Sequence, residues 1–496
     1  MNAIAIPRLG GRWIAEYARR PLNVVLLIVV PVVFVTLSAG SLADFADILG
    51  GRATLGEVEA ATAGWAAAVL AGVAAFFHVS QSRDADRRLA AAGAGALRVV
   101  VSRLVSTLLL AGAASAGALA ALGVRTDLAT STRVVAATVV SAVVYTGLGV
   151  LVGSTVRSEM NGSLIIVFAW IFDVFFGPAM GGTAEFLRLF PLHFPTLVIT
   201  GVASGHSGPL GDVGISAAWG TASMTLAALA LVATTRRHRP RTRLARRSTG
   251  RLAPALRAAG RQLRRMPVLW ILVVGLPVAF ISASIAVTPE TPTSVDLVEQ
   301  GQRTLTIQSM ADVHGAVMVP ITIGFLASLA GLFVILDSAQ ADRRLALTDY
   351  RPGEILTVRM TTIVIATLIA TAVGLAVTAA SFDAANWWLF AAANVIVGLT
   401  YATIGVVVGP VFGRLGGLYL LLLLPFIDIG LAQNAMFDAA PPAWGRFLPA
   451  HGAMRVAMDA AFTPGFDEIV SLVLALVWLA TLTGLASFVF RRVITR

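Results

Sequence analysis

The sequence predicts an all-α integral membrane protein of about twelve transmembrane helices, arranged as two parallel six-helix repeats. Three observations lead there. Apolar residues fill 57% of 496 positions and charged residues only 13%, a balance that a folded soluble chain does not need. Apolar runs of roughly 20 residues, the length of a bilayer span, recur along the whole chain. Short landmarks also recur in the same order in both halves.

The apolar runs fall near 21–40, 61–80, 104–123, 134–155, 163–179 and 214–234, then near 267–287, 316–336, 360–380, 387–411, 417–434 and 469–490. Charge sets their direction. No lysine occurs, so all 37 cationic side chains are arginine. With both termini in the cytoplasm, inside segments hold 30 arginines, twelve of them between Arg236 and Arg265. Outside segments hold seven: Arg52, Arg125, Arg133, Arg188, Arg303, Arg446 and Arg455. This is the positive-inside bias of a multi-pass protein. The net charge of +11 therefore follows topology and does not point to nucleic acid.

Composition also excludes chemistry. A Walker A loop needs its lysine on the nucleotide phosphates, so the chain lacks an ordinary ATPase site. Cysteine is absent, which removes disulfides and thiolate metal sites. The six histidines are scattered, and no third ligand sits at a spacing suited to zinc. Neither H-E-x-x-H nor G-x-S-x-G is present, so a hydrolytic enzyme is disfavoured.

The repeat rests on four landmarks. Arg12, Glu16, Arg19 and Arg20 match Arg257, Arg261, Arg264 and Arg265 at identical spacing. Arg8, Arg12, Glu16 and Arg19 fall at helical spacing on one face beside Leu9, Trp13 and Tyr17, as in an amphipathic helix at the cytoplasmic interface. Proline pairs ten residues apart follow, Pro21 with Pro31 and Pro267 with Pro277. Ala-Asp-Arg-Arg-Leu-Ala occupies 85–90 and again 341–346. Pro191 and His193 match Pro449 and His451 late in each half. Six spans per half is an even number, so both halves share one orientation. The boundaries are 1–235, a basic cytoplasmic linker at 236–252, and 253–496.

Within this frame a few side chains stand out. Asp86, Arg87, Arg88, Asp342, Arg343 and Arg344 lie just beyond a span, each set followed by a further arginine, Arg103 or Arg359. Local Asp–Arg pairing and positive-inside anchoring would explain them. So would a rigid charged helix that passes on a push. Asp173 and Asp428 are the acids expected inside spans, at equivalent fifth-span positions. A carboxylate there is costly unless paired or protonated, which makes both candidates for a substrate pathway or gate. The alternative is a helix-terminal acid bonded to the segment that follows. His193 and His451 sit in apolar outer stretches, near 183–205 and 442–463, too short to cross and return. Short re-entrant helices fit there. The histidines would gate, sense pH, or bond backbone at a turn. Trp13, Trp65, Trp270, Trp387, Trp388 and Trp444 fall near predicted interfaces, as an aromatic belt requires.

Taken together, these landmarks make each half resemble one type-2 ABC exporter permease, and the whole chain resemble the fused twelve-span permeases of actinobacterial tetronasin and polyketide antibiotic exporters. That resemblance implies a bacterial plasma-membrane protein that exports hydrophobic or amphiphilic compounds. It implies two copies of a separate ATPase that bind ATP and magnesium. It also implies that loops 81–103 and 337–359 hold the coupling helices, with the six Asp-Arg-Arg residues as contacts. A secondary transporter of the major facilitator type also has six plus six spans and an Asp-Arg signature after the second. Here the flanking glycines of that signature are absent and the loop is longer.

Overall fold

The computed structural model describes residues 21–182, 184–202, 211–236, 271–299, 301–346 and 352–494. The described residues are 82% helical, and the chain divides into two compact units, Met1–Leu244 and Ala245–Arg496. The amphipathic stretches around Arg12 and Arg257 and residues 237–252 of the linker lie outside the described residues.

The first unit runs α1 (Pro21–Ile48), α2 (Leu55–Ser80), the short α3 (Arg83–Leu89), α4 (Ala96–Gly123), α5 (Thr132–Thr155), α6 (Glu159–Phe175), α7 (His193–Thr200) and α8 (Gly211–Arg236). The central element is α2, whose apolar stretch is wholly buried. Its run of alanines lets neighbours approach closely. The tightest approach is to α5, where a Cβ on Gly149 would stand 2.1 Å from the Gly72 carbonyl oxygen. Trp65, expected at an interface, is instead only 1% exposed. Its indole donates to Thr196 at 3.1 Å, and its carbonyl accepts from Trp170 at 2.8 Å. A tryptophan whose N–H finds a partner inside the bundle has no need of the wet interface.

The second unit runs α9 (Leu276–Val287), β1 (Pro292–Glu299), β2 (Gln302–Ser309), α10 (Met310–Ala346), α11 (Pro352–Thr378), α12 (Trp387–Pro425), α13 (His451–Phe462) and α14 (Ile469–Ile494). Here α10 and α12 form the close crossing, and a Cβ on Gly405 would stand 2.1 Å from the Ser328 carbonyl oxygen. The two crossings share a spacing that the sequence reading passed over. Tyr145, Gly149 and Gly153 recur as Tyr401, Gly405 and Gly409, a small-residue stripe suited to helix contact.

Among the described residues, nine helices are long and apolar enough to cross a membrane. The expected count was about twelve, and the difference has local causes. The fifth predicted span is α6, which has 17 residues. The predicted spans 387–411 and 417–434 are joined in one helical run from Trp387 to Ala432. That run is broken at Gly413, whose backbone sits at φ 69° and ψ −168°, a conformation that glycine reaches without steric cost. The run beginning near 267 continues into α9, and its first residues lie outside the described ones.

The β-hairpin was not anticipated, because 288–309 reads as loop between spans. β1 and β2 pair antiparallel, with Val295 opposite Thr306 and Leu297 opposite Thr304. The turn passes through Gly301 at φ 77°, the left-handed conformation such turns favour. Alternating Val295, Leu297, Arg303, Leu305 and Ile307 carried the signal, but the stretches are short.

Candidate functional site

Each unit holds two polar clasps inside an otherwise apolar bundle. The first fastens the connection between the second and third predicted spans. Asp86 lies on α3, within the 81–103 loop. Its two carboxylate oxygens accept from Arg103 at 2.5 and 3.1 Å. Both side chains are only 2% exposed. Arg103 also approaches His78 at 3.0 Å, and His78 approaches the Ser106 hydroxyl at 2.9 Å. In the second unit Asp342 accepts from Arg359 at 2.5 and 3.2 Å. The separation is 17 residues in both units. Two donors of one guanidinium on one carboxylate give a strong, oriented contact, and burial demands it, since either charge alone would be costly.

This sorts the predicted coupling residues into two kinds. The acids, Asp86 and Asp342, turn inward and are consumed by the clasps. Arg88, Arg343 and Arg344 are exposed. Arg87 is half-buried and donates to the Thr234 carbonyl at the end of α8 at 3.1 Å. A residue the sequence reading did not single out, Arg83, ties α3 to the end of α5 through the carbonyls of Gly153 and Val156. Its burial, followed by the nearby Arg87 charge, lowers the affinity of its guanidinium for a proton.

The second clasp lies at the other end of each unit's helices. Asp173, near the end of α6, accepts from the Tyr145 hydroxyl at 2.5 Å and from the Leu192 backbone N–H at 3.1 Å. Asp428 accepts from Tyr401 at 2.6 Å and from the Ala450 backbone N–H at 2.8 Å. Each acid thus fixes the residue just before the histidine of the Pro-x-His landmark. Both carboxylates are 2% exposed. Of the roles weighed for them, the geometry supports the helix-terminal acid bonded to the segment that follows. The tyrosines were missed because a lone Tyr in an apolar span carries no sequence signal until its acid partner is known.

The histidines differ. His193 begins α7 and packs edge-on against Phe194, with ring centroids 5.0 Å apart. His451 begins α13 and meets the Gln433 side-chain oxygen at 2.9 Å, while the Gln433 amide donates to the Gly445 carbonyl at 2.7 Å. Burial, and then the Arg455 charge, push His451 down to about 4, so it is neutral near pH 7. Beside it, Arg455 donates to Glu468 at 2.9 Å and to the Asp296 carbonyl at 2.8 Å. Arg303 pairs with the Asp296 carboxylate at 2.9 Å. This network docks the β-hairpin onto α13.

Among the described residues no group of three or more His, Asp or Glu side chains is placed to hold a metal ion. The arrangement is one of rigid connections, with exposed arginines at one end and fastened short helices at the other. Compared with protein-family models and with curated proteins, the chain has no match.

Proposed function

We propose that this chain is the membrane-spanning permease subunit of an ATP-driven exporter of hydrophobic or amphiphilic compounds, working with two copies of a separate ATPase. Its substrates would be antibiotic-like or lipid-like, and its setting the bacterial plasma membrane with both termini cytoplasmic. The observation that carries the reading is the repeated arginine clasp. Asp86–Arg103 and Asp342–Arg359 lock the same connection at the same separation, and each leaves arginines exposed beside it. A loop that must deliver a push cannot be loose, and a buried bidentate pair makes it stiff. The exposed Arg88, Arg343 and Arg344 then remain to meet the ATPase.

The twelve-span, two-repeat architecture belongs to this proposal. It takes α6 as a short span, the stretch ending at Val287 as another, and the long α12 run as two spans parted at Gly413. The short helices α7 and α13 would be the outer re-entrant elements. Asp173, Asp428, His193 and His451 would position those elements, with no direct part in binding cargo.

The test is a pull-down of the detergent-solubilised chain from its host, with the triple variant R88E/R343E/R344E beside it. A stoichiometric Walker A ATPase that co-purifies with the native chain and is lost from the variant supports the proposal. A chain that purifies alone and moves substrate in liposomes on an ion gradient without ATP hands the case to a secondary transporter.

A further inference from the structure

Seven arginines fall in segments that the sequence assigns outside, against the positive-inside preference, so each calls for a reason. Several are used by the fold. Arg125 pairs with Glu59 at 2.8 Å, and Arg303 and Arg455 converge on Asp296. Arg133 lays its guanidinium against Gly201. Arg52 and Arg188 differ. Neither forms an ion pair with a described residue, and while Arg446 forms none either, Arg52 and Arg188 together line one cavity of about 250 Å³ in the first unit.

The wall of that cavity also contains His193 and the turn from Pro178 to Gly182, and no acid is among its described lining residues. The turn is tightly folded and needs its glycines. Gly181 caps it in the left-handed conformation at φ 79°, and a Cβ on Gly182 would stand 2.1 Å from the Phe176 carbonyl oxygen. The second unit shows what a filled version looks like. Five residues after Asp428 comes Gln433, whose side chain links His451 to the Gly445 carbonyl. Five residues after Asp173 comes Pro178, which offers no side-chain donor or acceptor. The rest of the frame is kept, Arg188, Pro191 and His193 against Arg446, Pro449 and His451. The first unit thus keeps the frame and lacks the internal amide, and whereas Arg303 and Arg455 near His451 are paired with Asp296 and Glu468, Arg52 and Arg188 have no such acids among the described residues.

We propose that this cavity binds an oxyanion through Arg52 and Arg188, namely the phosphate group of a small solute or of an anionic lipid headgroup. Two guanidinium forks on one tetrahedral anion give several charge-assisted hydrogen bonds. Exposed arginines otherwise gain little from being gathered in one place. The inference stands on the first unit alone and does not depend on the exporter reading.

The experiment uses the purified full chain in two arms. In neutral detergent it is titrated with inorganic phosphate by calorimetry. In phosphatidylcholine nanodiscs with and without phosphatidylglycerol, retained lipid is counted by native mass spectrometry. Both arms are run on the wild type, R52Q, R52Q/R188Q and R446Q, with melting in phosphate-free buffer as the folding control. The expected result is saturable binding of one probe, weakened at least about tenfold in R52Q/R188Q and unchanged in R446Q. Binding of inorganic phosphate alone identifies a soluble source, and retention of phosphatidylglycerol alone identifies a headgroup. If R52Q/R188Q does not fold, a like loss in the single R52Q variant carries the same conclusion. Absence of binding in both arms overturns the proposal. So does unchanged binding in a folded R52Q/R188Q, or an equal loss in R446Q.

Discussion

The connection after α2 in the first unit and the one at the end of α10 in the second do the same job by different routes. In the first, the helix stops at Ser80, turns, and restarts as α3. In the second, α10 runs without interruption through Asp342 to Ala346. Both still deliver an aspartate to an arginine 17 residues on. Around that constant, the supporting contacts have changed. Arg103 leans on His78, whereas the matching position in the second unit is Val334, and Arg359 is 16% exposed. Arg83 ties α3 to α5 through backbone carbonyls. In the second unit Asp337 pairs instead with Arg414 at 2.8 Å. The buried pair is therefore the feature that both units keep, while the struts around it differ.

The largest expected effect tests that asymmetry directly. Replacing Asp86 with Ala strands a buried guanidinium and should cost about 3–5 kcal/mol. Asp342→Ala should cost less, about 1–3 kcal/mol, because Arg359 can turn toward water. Melting of the two variants in one detergent decides it, and equal losses would break the comparison.

The ends that carry the tyrosine clasps differ more. Arg455→Ala removes the link between the hairpin, α13 and Glu468, and should cost about 3 kcal/mol by leaving acids buried without their cation. Limited proteolysis should then cut within 292–309. The first unit has no hairpin among its described residues, and its proteolytic pattern should not change.

Acid should also weaken the second unit. Folded His451 is held neutral, with its proton affinity depressed to about 4, while the unfolded chain protonates near 6.5. Its contribution is complete above pH 6.5 and is lost as pH falls toward 4. H451Q should flatten that slope, and an unchanged slope would assign it to other groups.

The smallest effect probes what the units share. Y145F and Y401F each remove one hydrogen bond to a buried acid and should each cost about 1–2 kcal/mol. A large difference between them would mean that the two tyrosine clasps carry different loads.

Much of this was legible in the chain. The apolar runs, Asp173 and Asp428 inside them, and the repeated Asp-Arg-Arg each have a physical reading that needs no coordinates. Other parts were not legible. The partners of Asp173 are Tyr145, 28 residues earlier, and the backbone of Leu192, 19 residues later. Neither spacing belongs to a local pattern, and a backbone N–H has no sequence signature. Asp86 and Arg87 look alike as charged neighbours, yet one is buried and the other half-buried, because successive residues on a helix point about 100° apart.

By itself the sequence determined the solvent this protein folds for. It also determined the landmarks that recur in its halves, since both follow from composition and order along the chain. Tertiary structure decided which charges are spent inside the fold and which stay exposed. That choice depends on what lies across a helix crossing, where a buried carboxylate must find a donor from a distant segment or not be buried at all.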